Sequence, residues 1–262
     1  MVKKSLGKLY LVVMLLMLYI PMLVLVLCSF NAEPRNKVVW GGFSLKGYTR
    51  LFQDETVVHA LVITLALAGL AAAAGTVLGT MACVAIARMK RRHRLVILGI
   101  TNIPLLNADI VTGISLMLLF VRFVELNFWT MLIAHITMVI PYVILSVLPK
   151  MQQANTSTYE AALDLGASPV YAFFKVTLHE IMPGILSGFL LAFTMSMDDF
   201  SITYFTKAPG IHTLSTMINA EYRKGIHTEM YALSTILFVI ILFVLFLSNR
   251  LSAPQNEKKQ RI

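Results

Sequence analysis

The sequence predicts an all-α membrane protein of six transmembrane helices, and three observations predict it. The first is composition: of 262 residues, 58% are hydrophobic and 13% charged, against about 25% charged in an ordinary soluble domain. Mean hydropathy is +0.77. Such a chain is not disordered, and it has too little polar surface to cover a soluble globule of its size. The second is a set of six apolar stretches near the ~20 residues needed to cross a bilayer. The third is the uneven placement of the basic residues behind the net charge of +9.

The first stretch, 9–30, is too long for the apolar core of a signal peptide, and no small-residue cleavage site follows it. It reads as a span. Further spans are expected at 57–87, 95–121, 128–148, 183–206 and 230–249, in a single transmembrane domain over 1–262. The fifth is the least apolar, because it carries two acids. Lysine and arginine favour the cytoplasmic side of short loops. With both termini cytoplasmic, fourteen of the 22 basic residues lie inside and eight outside. Arg88, Lys90, Arg91, Arg92 and Arg94 carry most of that bias. The membrane therefore accounts for the basic excess, and no nucleic-acid recognition fold is visible, so nucleic acid is not an expected partner. Cys28 and Cys83 both fall in spans, where a lone thiol packs as a small hydrophobe. Neither disulfide framework nor metal-ligand spacing is present.

The longest inside segment, 149–182, reads as two short helices. Ser157 and Glu160 have the S-x-x-E spacing of a capping box. Gly166 stands where a helix end needs positive φ. Ser168 caps the next helix, with Pro169 at its first position, and Val170, Phe173, Phe174 and Val176 give that helix an apolar face. So apolar a pair of helices, exposed to cytosol, needs a surface to bury against.

Glu160-Ala161-Ala162, three residues, Gly166, nine residues and Val176-x-Leu178 together resemble the EAA loop of ABC-importer permeases. Val176 replaces the isoleucine of that pattern. His179 stands where its proline is expected, which leaves the exit of the second helix open. Residues 110–119, 159–169 and 191–210 are similar to the second membrane subunit of polyamine importers, the spermidine/putrescine class. The resemblance implies a methionine-permease-like, type I importer fold in the bacterial inner membrane. It implies a heterodimer with a second permease subunit, two cytosolic ATPases carrying ATP and Mg, and an extracytoplasmic substrate-binding protein. Glu160, Ala161, Ala162, Gly166, Phe173 and Leu178 would then couple to the ATPase. No G-x-x-x-x-G-K-[ST] loop occurs, so no ATP site and no cofactor are expected in this chain.

Intramembrane acids cost about 2.5–3.5 kcal/mol each and are functional or paired by default. Asp109 lies in the third span, Asp198 and Asp199 in the fifth, and neither span contains a basic residue to pair with them. A cationic substrate is the natural partner. On straight helices rising 1.5 Å per residue, Asp109 and Asp199 lie at similar depth in the outer half. Neighbours on a helix differ by about 100°. Asp199 then shares a polar stripe with Ser196, Thr203 and Thr206, and is expected to line the pathway. Asp198 would face a helix interface or the second subunit. Asn102, Pro104, Asn107 and Asp109 also look like a helix break, with Asp109 in a favourable first turn. Trp129, Tyr142, Phe200 and Tyr204 are candidate cation–π partners. His135 reads as a hydrogen-bonded packing residue. The polar loops 31–56 and 207–229 are expected on the outside, long enough to meet a binding protein.

Rival readings fare worse. His179-Glu180-Ile181-Met182-Pro183 begins like a zinc-protease H-E-x-x-H but has proline at the second ligand position. Gly113-Ile114-Ser115-Leu116 lacks the last glycine of an intramembrane-protease G-x-S-G pattern. An importer permease for another substrate class and an ATPase-independent channel remain as alternatives; a channel has no use for an ATPase dock.

Overall fold

Apolar runs of this length have no alternative to helix in lipid, where every backbone polar group must be satisfied internally. The structure, a computed structural model, describes residues 2–32, 40–224 and 228–252. Twelve α-helices occur among them: α1 (Val2–Ser29), α2 (Lys46–Gln53), α3 (Glu55–Ala87), α4 (Arg91–Leu106), α5 (Asp109–Phe123), α6 (Phe128–Gln153), α7 (Thr156–Asp164), α8 (Pro169–Ala172), α9 (Leu178–Asp198), α10 (Ser201–Thr206), α11 (Leu214–Lys224) and α12 (Thr228–Ser252). Among the described residues, β pairing is limited to one isolated bridge, Asn31 with Phe43.

Four helical stretches are long and apolar enough to cross a membrane: Tyr10–Ser29, Glu55–Ala87, Phe128–Gln153 and Pro169–Asp198. The third expected span is a broken pair, α4 and α5, bent by 103°. The sixth, within α12, is represented by the shorter apolar helix Met230–Val244. Parts of the expected outer loops, 33–39 and 225–227, and the basic residues Lys258, Lys259 and Arg261 lie outside the described residues.

The chain divides into two compact units, Met1–Leu61 with Met217–Ile241, and Val62–Thr216 with Leu242–Ile262. In the first, Phe30 stacks on Phe43 with centroids 5.1 Å apart, and Ser29 Oγ lies 2.7 Å from the Tyr48 hydroxyl. The face of α1 is largely exposed, from Tyr10 through Leu18.

In the second unit, α6 is the central rod. Val139, Val143, Val147 and Ile144 are buried and pack with Cys83, Ile86, Ile181 and Ala192. Small residues permit the approach, as lipid-embedded helices require. A Cβ on Gly79 of α3 would lie 2.7 Å from Val143 Cγ1 and 2.9 Å from its Cβ, and one on Gly184 of α9 would lie 2.8 Å from Lys150 Cγ. The half-helices α5 and α10 also pack on each other. There a Cβ on Gly113 would lie 3.1 Å from the Ser201 carbonyl oxygen and 3.3 Å from Ile202 Cα. Close packing accounts for Gly113, which the sequence offered as part of an incomplete protease motif.

Candidate functional site

Three regions carry the residues singled out above: a helix break around Asp198–Phe200, the break between α4 and α5 at Asp109, and the loop joining α6 to α9.

The break overturns the premise of a continuous fifth span. Asp199 is extended (φ −65°, ψ 126°), so α9 stops at Asp198 and α10 begins at Ser201. Asp199 does the local work of a cap. Its Oδ2 accepts from the Thr203 amide at 2.8 Å and from Thr203 Oγ1 at 3.0 Å. Its Oδ1 accepts from the Ile202 amide at 3.2 Å. Its backbone carbonyl accepts from Ser215 Oγ at 2.7 Å. Only 5% of the Asp199 side chain is exposed. The polar stripe expected for Asp199, Ser196, Thr203 and Thr206 therefore turns inward in this chain rather than onto an exposed wall. Ser196, Thr203 and Thr206 are buried, and the polar groups of Asp199, Ser196 and Thr203 gather inside the protein. The shared face survives the break, but α6 covers it through His135.

His135 of α6 stands at the centre of that cluster, fully buried. Its Nδ1 lies 2.7 Å from Ser196 Oγ, and its Nε2 lies 2.9 Å from Thr203 Oγ1 and 3.6 Å from Asp199 Oδ2. The packing role expected of His135 is what the structure shows, with both ring nitrogens engaged.

Asp198, expected at a helix interface or against the second subunit, is exposed in this chain rather than packed between its helices, and its carboxylate makes no hydrogen bond or ion pair with another described residue. Tyr204 is 52% exposed and tilts against Phe200 with centroids 5.4 Å apart. Asp109 is exposed in the first turn of α5. The expected helix break at 102–109 is present, with Asn107 reaching Thr112 Oγ1 at 3.5 Å and Ala108 in the capping position. The bend between α4 and α5 removes the straight-helix basis for the depth of Asp109. Beyond α10, Lys207 Nζ donates to the Ile211 carbonyl at 2.9 Å. Burial lowers the pKa of Lys207. Burial, and then the Lys207 charge, hold His212 below its ordinary value.

The loop region keeps the expected order with two corrections. The cap of α7 is Asn155, whose Oδ1 accepts from the Ser157 amide at 3.0 Å. Ser157 and Glu160 thus lie inside the helix rather than forming a capping box, because the equally good cap two residues earlier starts it. Gly166 has φ +88°, and Ser168 Oγ accepts from the Tyr171 amide at 3.3 Å, both as expected. The second short helix, however, has no exit. After α8 comes one π-helical turn, Phe173–Thr177, and the helix then continues as α9 through His179 and Pro183 to Asp198. Without a proline at 179, nothing interrupts it there.

Exposure sorts the coupling candidates. Glu160, Ala161 and Gly166 are exposed, while Ala162, Phe173 and Leu178 are half-buried and face the body of the unit. The outward apolar groups are Leu165 (89% exposed), Val170 (67%), Tyr171 and Phe174 (60%). Leu165 and Tyr171 escaped the sequence reading. Their signal was a large apolar side chain on either side of a turn glycine and a cap. An apolar cavity of about 660 Å³ runs beside this loop, lined among others by Arg88, Pro169, Val170, Phe174, Thr76 and Thr80. The buried hydroxyls of Thr76 and Thr80 have no hydrogen-bond partner there.

With this geometry in place, residues 1–258 match the family model described as binding-protein-dependent transport system inner membrane component, and the chain belongs to that family. It is thus a permease component of a transporter rather than an ATPase. Among relatives, it is 38% identical over 253 residues to the putrescine transport system permease protein PotI of Escherichia coli strain K12, covering 94% of this chain and 89% of PotI. It is 35% identical over 240 residues to the spermidine/putrescine transport system permease protein PotC of Haemophilus influenzae, covering 91% and 93%. The fold is that of a bacterial ABC transporter involved in import of the acidic polysaccharide alginate, with TM-score 0.73, 17% identity and 95% of each chain covered. It is also that of the MetNI methionine ABC transporter in an inward-facing form, with TM-score 0.62, 18% identity and 74% and 94% covered. The expected methionine-permease-like importer fold is therefore present.

Proposed function

We propose that this chain is one of two permease subunits of an ATP-driven importer for a polyamine of the spermidine/putrescine class. It would sit in the bacterial inner membrane with both termini cytoplasmic. The observation that carries the substrate reading is the pair of exposed carboxylates, Asp198 and Asp109, each beside a helix break and neither paired with a described basic residue. Broken helices place polar and charged groups at transporter sites near mid-membrane. A polyamine presents several ammonium charges along an apolar stem. Acids at helix breaks, with the exposed aromatic Tyr204 on the helix that follows Asp198, suit that chemistry. The names of the PotI and PotC relatives support the same class.

In this reading Asp198, Asp109 and Tyr204 meet the substrate, whereas Asp199, Ser196 and Thr203 hold the frame from inside. Glu160, Ala161 and Gly166 form the exposed shoulder of a dock for one of two ATPases, with Ala162 behind them, and Leu165, Val170 and Phe174 supply its apolar contacts. Phe173 and Leu178 anchor the dock to the body. Because α8 runs through one π-helical turn into α9 with no loop between them, displacement of the dock is transmitted along one helical rod to Asp198. A second permease subunit and an extracytoplasmic binding protein complete the assembly. ATP and Mg belong to the ATPase.

The test is uptake of labelled spermidine and putrescine in a cell lacking its own polyamine transporters, with all subunits supplied. Saturable, ATPase-dependent uptake is expected. Uptake that persists with a hydrolysis-dead ATPase would favour a channel, and absence of polyamine uptake by the assembled complex would remove the substrate assignment.

A further inference from the structure

We propose that His135 is a positioning residue that staples the two halves of the broken helix to α6 and so turns Asp198 outward. The importance of Asp198 rests on the function proposed above; the staple itself does not.

The staple follows from where the partners of His135 sit. Ser196 lies three residues before Asp199, in the last turn of α9. Thr203 lies four residues after it, in α10. His135 belongs to neither helix, yet it reaches both, at 2.7 Å to Ser196 Oγ and 2.9 Å to Thr203 Oγ1. The cap made by Asp199 is local to α10 and cannot orient α9.

The hydrogens can be assigned by satisfaction. Thr203 Oγ1 donates to Asp199 Oδ2, so its oxygen accepts from Nε2–H of His135. Nδ1 is then bare and accepts from Ser196 Oγ–H. One neutral imidazole satisfies every group, in a single directed chain from Ser196 through His135 and Thr203 to Asp199. Any side chain lacking both a donor and an acceptor leaves buried polar groups unpaired.

Helical phase gives the consequence. Asp198 lies two residues beyond Ser196, about 200° around the same helix. Fixing Ser196 inward on α6 therefore fixes Asp198 on the opposite, exposed face. The arm to Thr203 sets α10 but does not set the phase of α9. The two arms thus have different expected effects.

The experiment measures the accessibility of position 198 in the assembled transporter in membrane vesicles. Cys28 and Cys83 are replaced by serine, Asp198→Cys is introduced, and the rate of modification by a small charged methanethiosulfonate is followed. His135→Leu is expected to slow modification about tenfold, the size expected when a buried hydrogen bond is removed. The rate at a control Ser115→Cys on the exposed face of α5 should not change. His135→Gln, which keeps a donor and an acceptor, should recover part of the rate. Equal rates at 198 with and without the His135→Leu substitution would overturn the staple. Should His135→Leu fail to accumulate, the single arms decide. Ser196→Ala must slow modification at 198, and an unchanged rate overturns the proposal. Thr203→Val should leave that rate alone. Modification does not require transport. If it slows while polyamine uptake with native Asp198 keeps its KM in His135→Leu, the staple stands and the substrate role of Asp198 falls.

Discussion

Two adjacent aspartates at the break sit in opposite environments. Asp199 spends its carboxylate on two amides and a hydroxyl inside the protein; Asp198 has its carboxylate in the open. Asp198→Asn is expected to cut polyamine uptake at least about tenfold, the loss of one charge-assisted contact, with assembly unchanged. Asp199→Asn retains one acceptor for capping but loses the second. It should lower the thermal stability of the purified complex, by about 1–3 kcal/mol, before it touches transport. Uptake abolished by Asp199→Asn in a stable complex, with Asp198→Asn silent, would return the substrate role to Asp199. Two acids beside an apolar run were legible in the sequence. The break was not, because Asp198-Asp199-Phe200 interrupts no hydropathy pattern. The one available signal was an aspartate just before the run from Ile202, which is an N-cap pattern as readily as a helix interior. The role of His135 was legible only as hydrogen bonding, since its partners lie 61 and 68 residues away in the chain.

At the scale of elements, packing and docking make opposite demands on side-chain size. Gly79 faces Val143, whose β-branch leaves it one favoured rotamer in a helix. Its Cβ, 2.9 Å from the added carbon, cannot rotate away. Gly79→Ala should therefore destabilise the α3–α6 contact by about 1–3 kcal/mol, and Val143→Ala should restore part of the loss, checked by thermal unfolding of the two single variants and the double. The proposed dock differs. Phe174 is 60% exposed, so Phe174→Ser should leave the permease folded while reducing the ATPase recovered with it on purification. Retention of the full complement of ATPase would show that this face is not the dock. The order of the loop was readable from its turn chemistry, Gly166, Ser168 and Pro169. The continuity of α8 into α9 was not, because Pro183 looked like a start to the span and is instead accommodated within α9.

For the whole molecule, the apolar stretches carried the all-helical importer fold: among the described residues four stretches are single helices long and apolar enough to cross a membrane and another is a bent pair, and residues 1–258 match the family model. What they concealed were the places where a span breaks, since hydropathy averages over the two or three residues that do it. Orientation rests on a different signal, the basic residues, and it can be tested by removing them. Fourteen of 22 lysines and arginines lie on the side assigned to the cytoplasm and eight on the other. Five of the fourteen are Arg88, Lys90, Arg91, Arg92 and Arg94, in and beside the short connection from α3 to α4, within the distance from span ends over which the bias acts. Replacing all five with glutamine leaves nine against eight, which is almost no preference. Reporters that fluoresce only in the cytoplasm or fold only outside it, fused after Ile262 or inserted at Pro209-Gly210, should report a single orientation in the native chain. In the five-glutamine variant the same fusions should report both. A variant that keeps one orientation would show that binding-partner assembly or the first span, rather than this cluster, sets the topology.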